Sequence, residues 1–137
     1  EEKLTSVPRL LVRQTADRII ATYEEVASGL PMDTVHILYD MKCNPYFLLG
    51  LLNSKLATWF YRALTNEEGR VFAEIKIVHL KSLPILFNDK LEQEIAERAK
   101  NAMNIKDKEV IEREIDSKIY ELYALDEEAI SIVEDSL

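Results

Sequence analysis

The residues of this chain that are best suited to chemistry are cations and amides standing between apolar segments. Arginine pairs bidentately with guanine and glutamine with adenine, whereas lysine mainly contacts phosphates. Arg13 and Gln14 stand in a polar turn between two predicted strands, where base contact and structural hydrogen bonding are equally consistent with their position. The full candidate set for nucleic-acid contact is Arg9, Arg13, Gln14, Lys42, Lys55, Arg62, Arg70, Lys76 and Lys81.

Two short patterns resemble catalytic motifs, and each has a simpler interpretation. The tripeptide 44–46, Asn-Pro-Tyr, lacks the second proline of the Asn-Pro-Pro-Tyr motif with which amino-methyltransferases hold adenine. Asn suits a helix N-cap and Pro the first helical position, so a helix start explains the same residues. The tripeptide 74–76, Glu-Ile-Lys, matches the Glu-x-Lys of metal-dependent nucleases, which also need an upstream acid placed beside it; Asp40 could be offered, but the spacing is at chance level. Neither pattern predicts catalysis in this chain.

Metal-binding and nucleophilic sites are equally unsupported by the sequence. His36 and His79 lie far apart in predicted strands, without clustered cysteine or carboxylate neighbours. The single Cys43 excludes an internal disulfide and any multi-cysteine zinc site, and it is interpreted as an inert small hydrophobe. With three glycines in the chain and no glycine-rich turn after a strand, no cofactor loop is predicted.

Charge divides the chain into two parts. The net charge of −8 argues at first against nucleic acid. Residues 1–87, however, carry ten Lys/Arg and ten Asp/Glu, while residues 88–137 carry seven against fifteen and supply the whole excess. We therefore predict a recognition body at 1–87 and an acidic helical tail at 88–137, packed on that body. Without Glu1 and Glu2 the body has a net charge of only +2, so it should bind nucleic acid weakly by itself.

Hydrophobic periodicity predicts the elements of the body. Four segments have the β-branched or alternating pattern of strands: 10–12, 18–23, 34–41 and 71–78. Glycine and proline predict a loop at 28–33, and a polar turn containing glycine is predicted at 66–69. One long central helix is predicted from Pro45 to Ala63. Its buried stripe is Leu48, Leu52, Leu56, Trp59 and Ala63, and its other face carries Lys55, Thr58 and Arg62.

The tail is predicted to contain three helices. Residues 89–104 have an apolar stripe of Leu91, Ile95, Ala99 and Met103, and residues 108–123 have one of Ile111, Ile115, Ile119 and Leu122. Asp126 suits the N-cap of a last helix that extends to Glu134. Amphipathic helices of this kind must bury their stripes against the body or against a partner.

The order of several blocks resembles one known family. A leucine-rich segment at 46–62 contains Leu-Asn-Ser-Lys, and after a spacer residues 75–85 contain Ile-Lys and Leu-Pro-Ile. Further matching blocks are Leu-Val-Arg-Gln at 11–14, Ile-Ala-Thr-Tyr at 20–23 and the terminal block at 119–128. Together they resemble the TaqI-like C-terminal specificity domain of adenine-specific DNA methyltransferases and type IIG restriction–modification enzymes, from about Pro8 to Glu134.

The resemblance implies a fold and a function. We expect an α/β (α+β) target recognition domain with a small mixed or antiparallel sheet, one long central helix and a helical tail. It implies double-stranded DNA and the methyltransferase domain of the same parent chain as partners, with a fused endonuclease as an option and a cytoplasmic location. The parent is expected to use S-adenosylmethionine and this fragment no cofactor, metal or catalytic residue. The alternative is a protein–protein assembly module that does not contact DNA.

Overall fold

The computed structural model describes residues 8–14, 17–25, 35–39, 41–65 and 75–136. The predicted loop at 28–33, the turn at 66–69 and the first part of the strand predicted at 71–78 lie outside these residues. So do Asp40, Arg70 and Glu74. The predicted mixed α/β class is confirmed, because the described residues form a small antiparallel sheet and six helices.

The sheet has three strands, β1 (Arg9–Arg13), β2 (Ala21–Glu24) and β3 (Val35–Leu38), in the order β2-β1-β3. Both pairings are antiparallel, with Leu10 opposite Tyr23 on one side and opposite Leu38 on the other. Because β1 is central, its alternate residues Leu10 and Val12 are completely buried. The three strands predicted at 10–12, 18–23 and 34–41 are therefore confirmed, with shorter bounds for the second and third.

The predicted long central helix is wrong in one respect, because two helices occupy its place. Helix α1 (Pro45–Leu52) ends before Asn53 and Ser54, and α2 (Lys55–Thr65) begins directly after them. The predicted start is confirmed, since the Asn44 side chain accepts a hydrogen bond from the Tyr46 N–H at 2.9 Å.

The predicted faces of the central segment are partly confirmed. Leu48, Leu52 and Leu56 are buried, and the half-buried Trp59 packs against the core. The end of the stripe is wrong, because Ala63 is exposed. Thr58, assigned to the polar face with Lys55 and Arg62, is buried instead.

The strand predicted at 71–78 is wrong at its end. Ile75 and Lys76 have no regular secondary structure, and Ile77–Leu80 form the short helix α3. Helix α3 contacts α2, and its Leu80 is buried, so tertiary packing overrides the alternating pattern. His79, predicted in a strand, lies in this helix with its ring edge towards Tyr61, at a centroid distance of 6.0 Å.

The tail forms α4 (Asp89–Ala102), α5 (Glu109–Leu122) and α6 (Glu127–Asp135), close to the predicted bounds. Asp126 caps α6 as predicted, accepting from the Ala129 N–H at 2.8 Å. Helix α4 packs on α1 and α5 packs on α4. The predicted stripes are buried except at their ends, where Met103 is exposed and Ile111 is half-buried.

The contact between α1 and α4 depends on Gly50. A Cβ atom placed on Gly50 would lie 2.9 Å from Ile95 Cγ2 and 3.5 Å from Ile115 Cγ2. The absent side chain thus lets α1 approach both tail helices closely. Leu49 and Leu51 flank it in the common core.

Most aromatic residues of 46–61 lie in the core or pack against it. Phe47 and Tyr61 are buried, while Tyr46 and Trp59 are half-buried and pack against the core. Phe60 is also half-buried. These contacts favour packing over base stacking for the aromatic set.

Candidate nucleic-acid interface

The predicted contact residues lie in different settings, and one of them is buried. Arg9 is only 1% exposed, and its Nη2 lies 2.6 Å from Glu24 Oε1 in the neighbouring strand. Its Nε donates to the same oxygen at 2.7 Å. Arg9 therefore stabilises the pairing of β1 with β2, and this placement contradicts a contact with a ligand in solution.

The opposite end of β1 carries the exposed Arg13 and the half-buried Gln14. Arg13 is opposite Val35 in the ladder, and its backbone N–H donates to the Ile20 carbonyl at 3.1 Å. The Gln14 carbonyl accepts from the Ile75 N–H at 2.6 Å. The backbone is thus held on both sides, which places the Arg13 side chain in solvent on a rigid support.

The bond between Gln14 and Ile75 brings a distant cation to the same place. Lys76 follows Ile75, its side chain is exposed, and its backbone N–H donates to Tyr61 Oη at 2.9 Å. The His36 ring Nε2 also bonds to the Ile75 carbonyl. Arg13, Gln14 and Lys76 therefore form one group at the end of the sheet, which we call the sheet-end cluster. His36 and His79 both contact residues next to this cluster, Ile75 and Tyr61.

Lys55 and Arg62 lie two turns apart on α2, so they share one face of the helix. Lys55 Nζ is 3.4 Å from Glu134 Oε2. Arg62 donates to the Ser136 carbonyl at 3.5 Å and also bonds to the Asp17 carbonyl. Both cations therefore already contact other parts of the chain, chiefly the C-terminal helix α6.

Lys42 and Lys81 are exposed at separate positions. Lys42 precedes α1, and Lys81 follows α3 at the rim of an apolar cavity of about 370 Å³. That cavity is lined by Leu38, Leu51, Leu56, Trp59 and Leu83, among others. No ion pair joins Lys42 or Lys81 to another side chain in the part of the chain that the structure describes.

Sequence reasoning missed two exposed cations, Arg18 and Lys108. Both line a cleft of about 450 Å³ between β2, α1, α4 and α5, together with Asn53 and Asp116. Arg18 stands in a predicted strand and Lys108 in a predicted acidic tail, so neither position indicated a contact surface. Their separation in sequence left no signal that would have grouped them.

The Leu-Asn-Ser-Lys block at 52–55 is a structural junction. The Asn53 side chain accepts from the Ala21 N–H at 2.8 Å and donates to the Ala21 carbonyl at 3.0 Å, as an extra strand would do at the edge of β2. Ser54 Oγ accepts from the Ala57 N–H at 3.2 Å and starts α2. Asn53 and Ser54, between α1 and α2, therefore join the edge of β2 to the start of α2.

The same junction is connected to the tail. Asp116 of α5 accepts from the Lys55 N–H at 3.0 Å, which satisfies a donor at the start of α2. Burial raises the pKa of the Asp116 carboxyl, and the Lys55 N–H opposes that rise by stabilising the charged form. Thr58 Oγ1 accepts from the Ile19 N–H at 3.0 Å, which links α2 to the segment just before β2.

Replacing Asn53 by alanine is expected to lower stability by about 1–2 kcal/mol, because both Ala21 backbone groups lose a protein partner. Thermal denaturation followed by circular dichroism measures the change. Asn104→Ala is the matched control, since Asn104 is exposed and follows α4 outside the junction. Equal melting temperatures for both variants would contradict the structural role of Asn53.

The described residues include few groups that would bind a cofactor or a metal ion. No group of three His, Cys, Asp or Glu side chains that would hold a metal ion occurs within the described ranges. Gly50 lies inside α1 and serves helix packing, so it does not form a phosphate-binding turn. No helix found in those residues is long and apolar enough to cross a membrane.

Comparison with models of protein families shows the family to which the chain is related. The model of the TaqI-like C-terminal specificity domain matches residues 1–85, which is more than half of the 137 residues. The chain belongs to this family. The predicted resemblance is confirmed, and membership in the TaqI-like specificity family implies DNA target recognition in restriction–modification enzymes.

The residues that match the TaqI-like domain include the sheet and helices α1 to α3. They also include every residue of this chain that was predicted to contact DNA. Helices α4 to α6 lie after residue 85 and outside the match, so the predicted resemblance of the block at 119–128 stays a prediction. A search of curated proteins finds no match. A specificity domain of this family indicates a fragment without catalytic function of its own.

Proposed function

We propose that this chain recognises a DNA sequence and positions an N6-adenine DNA methyltransferase of a type IIG restriction–modification enzyme on its target. The parent enzyme, with or without a fused endonuclease, acts in the cytoplasm. It uses S-adenosylmethionine held by residues outside this chain. Double-stranded DNA and the methyltransferase domain of the parent chain are the partners. Family membership supports the role in DNA recognition. The methyltransferase partner is a more specific proposal.

The observation that carries this proposal is the sheet-end cluster. Tertiary contacts place an exposed arginine, a glutamine and an exposed lysine at one end of the sheet, on backbone held by the bond between Gln14 and Ile75. Arg13 and Gln14 have the donor and acceptor patterns that read guanine and adenine, and Lys76 suits a phosphate. A rigid support favours recognition because less side-chain and backbone freedom is lost on binding.

The remaining cations have a supporting role in the proposal. Lys42 and Lys81 are exposed and suit phosphate contacts, while Lys55 and Arg62 offer a second basic face on α2. Arg70 stays a predicted contact, since it lies outside the described residues. We leave Arg9 out of the proposed interface, because its guanidinium is buried and pairs with Glu24 in the sheet.

A second candidate function is protein assembly, and one observation favours it. The cavity beside Lys81 is almost wholly apolar, and Val78 and Phe87 are exposed in nearby segments. Exposed apolar surface of this kind often marks a protein contact. In that case the cavity face would bind another protein, and the sheet-end cluster would not contact DNA.

The two functions are separated by DNA binding and by the sites that the parent enzyme methylates. Arg13→Ala or Gln14→Ala in the intact parent should reduce the discrimination between cognate and other sites by about 1–3 kcal/mol. Lys81→Ala should weaken binding of the isolated chain about equally on every sequence. It should also flatten the slope of log K against log salt by roughly 0.9. Mapping of methylated adenines and fluorescence anisotropy at several salt concentrations measure these changes.

Lys106→Ala is the matched control, because it removes the same charge from an exposed position between α4 and α5. It should leave both site choice and salt dependence unchanged. Parental methylation sites and rates for Arg13→Ala, Gln14→Ala and Lys81→Ala together would instead support the assembly function.

A further inference from the structure

The C-terminal helix α6 carries only acidic charge. Residues 126–135 contain five Asp or Glu side chains and no Lys or Arg. The buried Val133 and the half-buried Ile130 attach α6 to the core, and α6 contacts α2 directly. Helix α6 therefore places acidic side chains next to the predicted recognition body.

The contact between α6 and α2 is made at the cations of α2. Lys55 Nζ lies 3.4 Å from Glu134 Oε2, and Arg62 donates to the Ser136 carbonyl at 3.5 Å. Helix α5 supports the arrangement, because Tyr120 Oη donates to the same Glu134 oxygen at 3.3 Å. Asp116 holds the Lys55 backbone N–H. Two acidic helices thus converge on one end of α2.

The ion pair is suited to exchange because it lies at the surface. The side chains of Lys55 and Glu134 are 45% and 42% exposed, so water and salt screen their attraction. A DNA phosphate offers the same kind of oxygen acceptor as the Glu134 carboxylate, together with the wider field of the duplex. The Glu134 carboxylate and a DNA phosphate could therefore not both occupy the position beside Lys55 Nζ.

We propose that α6 is an intramolecular competitor of DNA, with Glu134 occupying the position of a phosphate at Lys55. The proposal rests on the proposed DNA-binding function and on the basic face of α2, and it adds that this face is partly covered in the free chain. Helix α6 lies outside the residues that match the specificity family. The acidic helix thereby lowers the affinity for all sequences alike, because it displaces a phosphate contact and not a base contact.

The test is Glu134→Gln, which removes the charge while the amide carbonyl still accepts from Tyr120. Binding of duplex DNA to the full 137-residue chain should strengthen by roughly 3–5-fold, the size expected for release of one surface ion pair. The slope of log K against log salt should steepen by about 0.9 as Lys55 gains a phosphate. Fluorescence anisotropy with cognate and unrelated duplexes measures both quantities, and circular dichroism verifies that the variant is folded.

Glu128→Gln is the matched control. It makes the same change in net charge on the same helix at an exposed position without an ion pair among the described side chains. A similar gain for Glu128→Gln would overturn the proposal, because net charge alone would explain the effect. In the Glu134→Gln background, Lys55→Ala should remove the gain, and its persistence there would also overturn the proposal.

The outcomes also separate this inference from the proposed function. If Glu134→Gln has no effect while Arg13→Ala and Lys81→Ala impair binding, the sheet-end cluster contacts DNA, α2 does not, and the competitor proposal fails. If neither the unchanged chain nor Glu134→Gln binds DNA, and the parent methylates its usual sites with all these variants, the DNA-binding function itself fails.

Discussion

Ile115→Asp is expected to abolish cooperative folding of this chain. Ile115 is 6% exposed and lies in α5, with its Cγ2 3.5 Å from the position that a Cβ of Gly50 would take. The substitution loses roughly 1.5–3 kcal/mol of apolar burial. It also places a carboxylate among apolar groups, at a further cost of several kcal/mol. A domain with about 5–15 kcal/mol of total stability cannot absorb that loss reliably.

Thermal denaturation followed by circular dichroism is the measurement, and loss of the unfolding transition is the expected result. Val110→Asp is the control on the same helix, since Val110 is 62% exposed and should tolerate the charge. If Ile115→Asp melts with the same midpoint as Val110→Asp, α5 does not pack as the structure shows. The stripe of α5 would then be an exposed interaction surface.

Arg9→Ala is expected to destabilise the chain by about 3 kcal/mol, the lower part of the range for breaking a buried ion pair. The guanidinium is 1% exposed and contacts Glu24 through Nε and Nη2, while the Glu24 side chain keeps 20% exposure. Removal of Arg9 breaks this ion pair between β1 and β2. The partial exposure of Glu24 lets water offset some of the loss.

The midpoint of urea denaturation measures this effect. Arg13→Ala is the control on the same strand, because Arg13 is exposed, and its removal should change stability by no more than about 0.5 kcal/mol. An unchanged midpoint for Arg9→Ala, accompanied by weaker DNA binding, would restore Arg9 as a DNA contact. The structure predicts a lower midpoint for Arg9→Ala and no direct loss of a DNA contact.

Local signals in the sequence determined much of this fold. Asn44 and Asp126 cap their helices where the sequence predicts, because a cap depends on a side chain and an N–H two or three residues away. The apolar stripes of α4 and α5 likewise follow from helical spacing. Three strands were also predicted from β-branched or alternating patterns, whereas the antiparallel option came with the family resemblance.

Elements that depend on distant partners were decided by the tertiary structure. The break between α1 and α2 exists where Asn53 completes the edge of β2, and nothing within the helix itself predicts that contact. Ile77–Leu80 fold as a helix against α2 although their local pattern alternates as in a strand. In both places long-range packing and hydrogen bonding outweigh a local preference that is worth little by itself.

The candidate interface also depends partly on residue type, which the sequence shows, and partly on tertiary contacts. Residue type alone identified Arg13, Gln14 and Lys76 as candidates, but only the bond between Gln14 and Ile75 brings them together. Sequence also located the acidity of the tail without showing that Glu134 would meet Lys55. Chemical type is a property of each residue, whereas burial and pairing depend on the path of the whole chain. For that reason the sequence could propose cations for DNA, and the fold decided which are buried, paired or exposed.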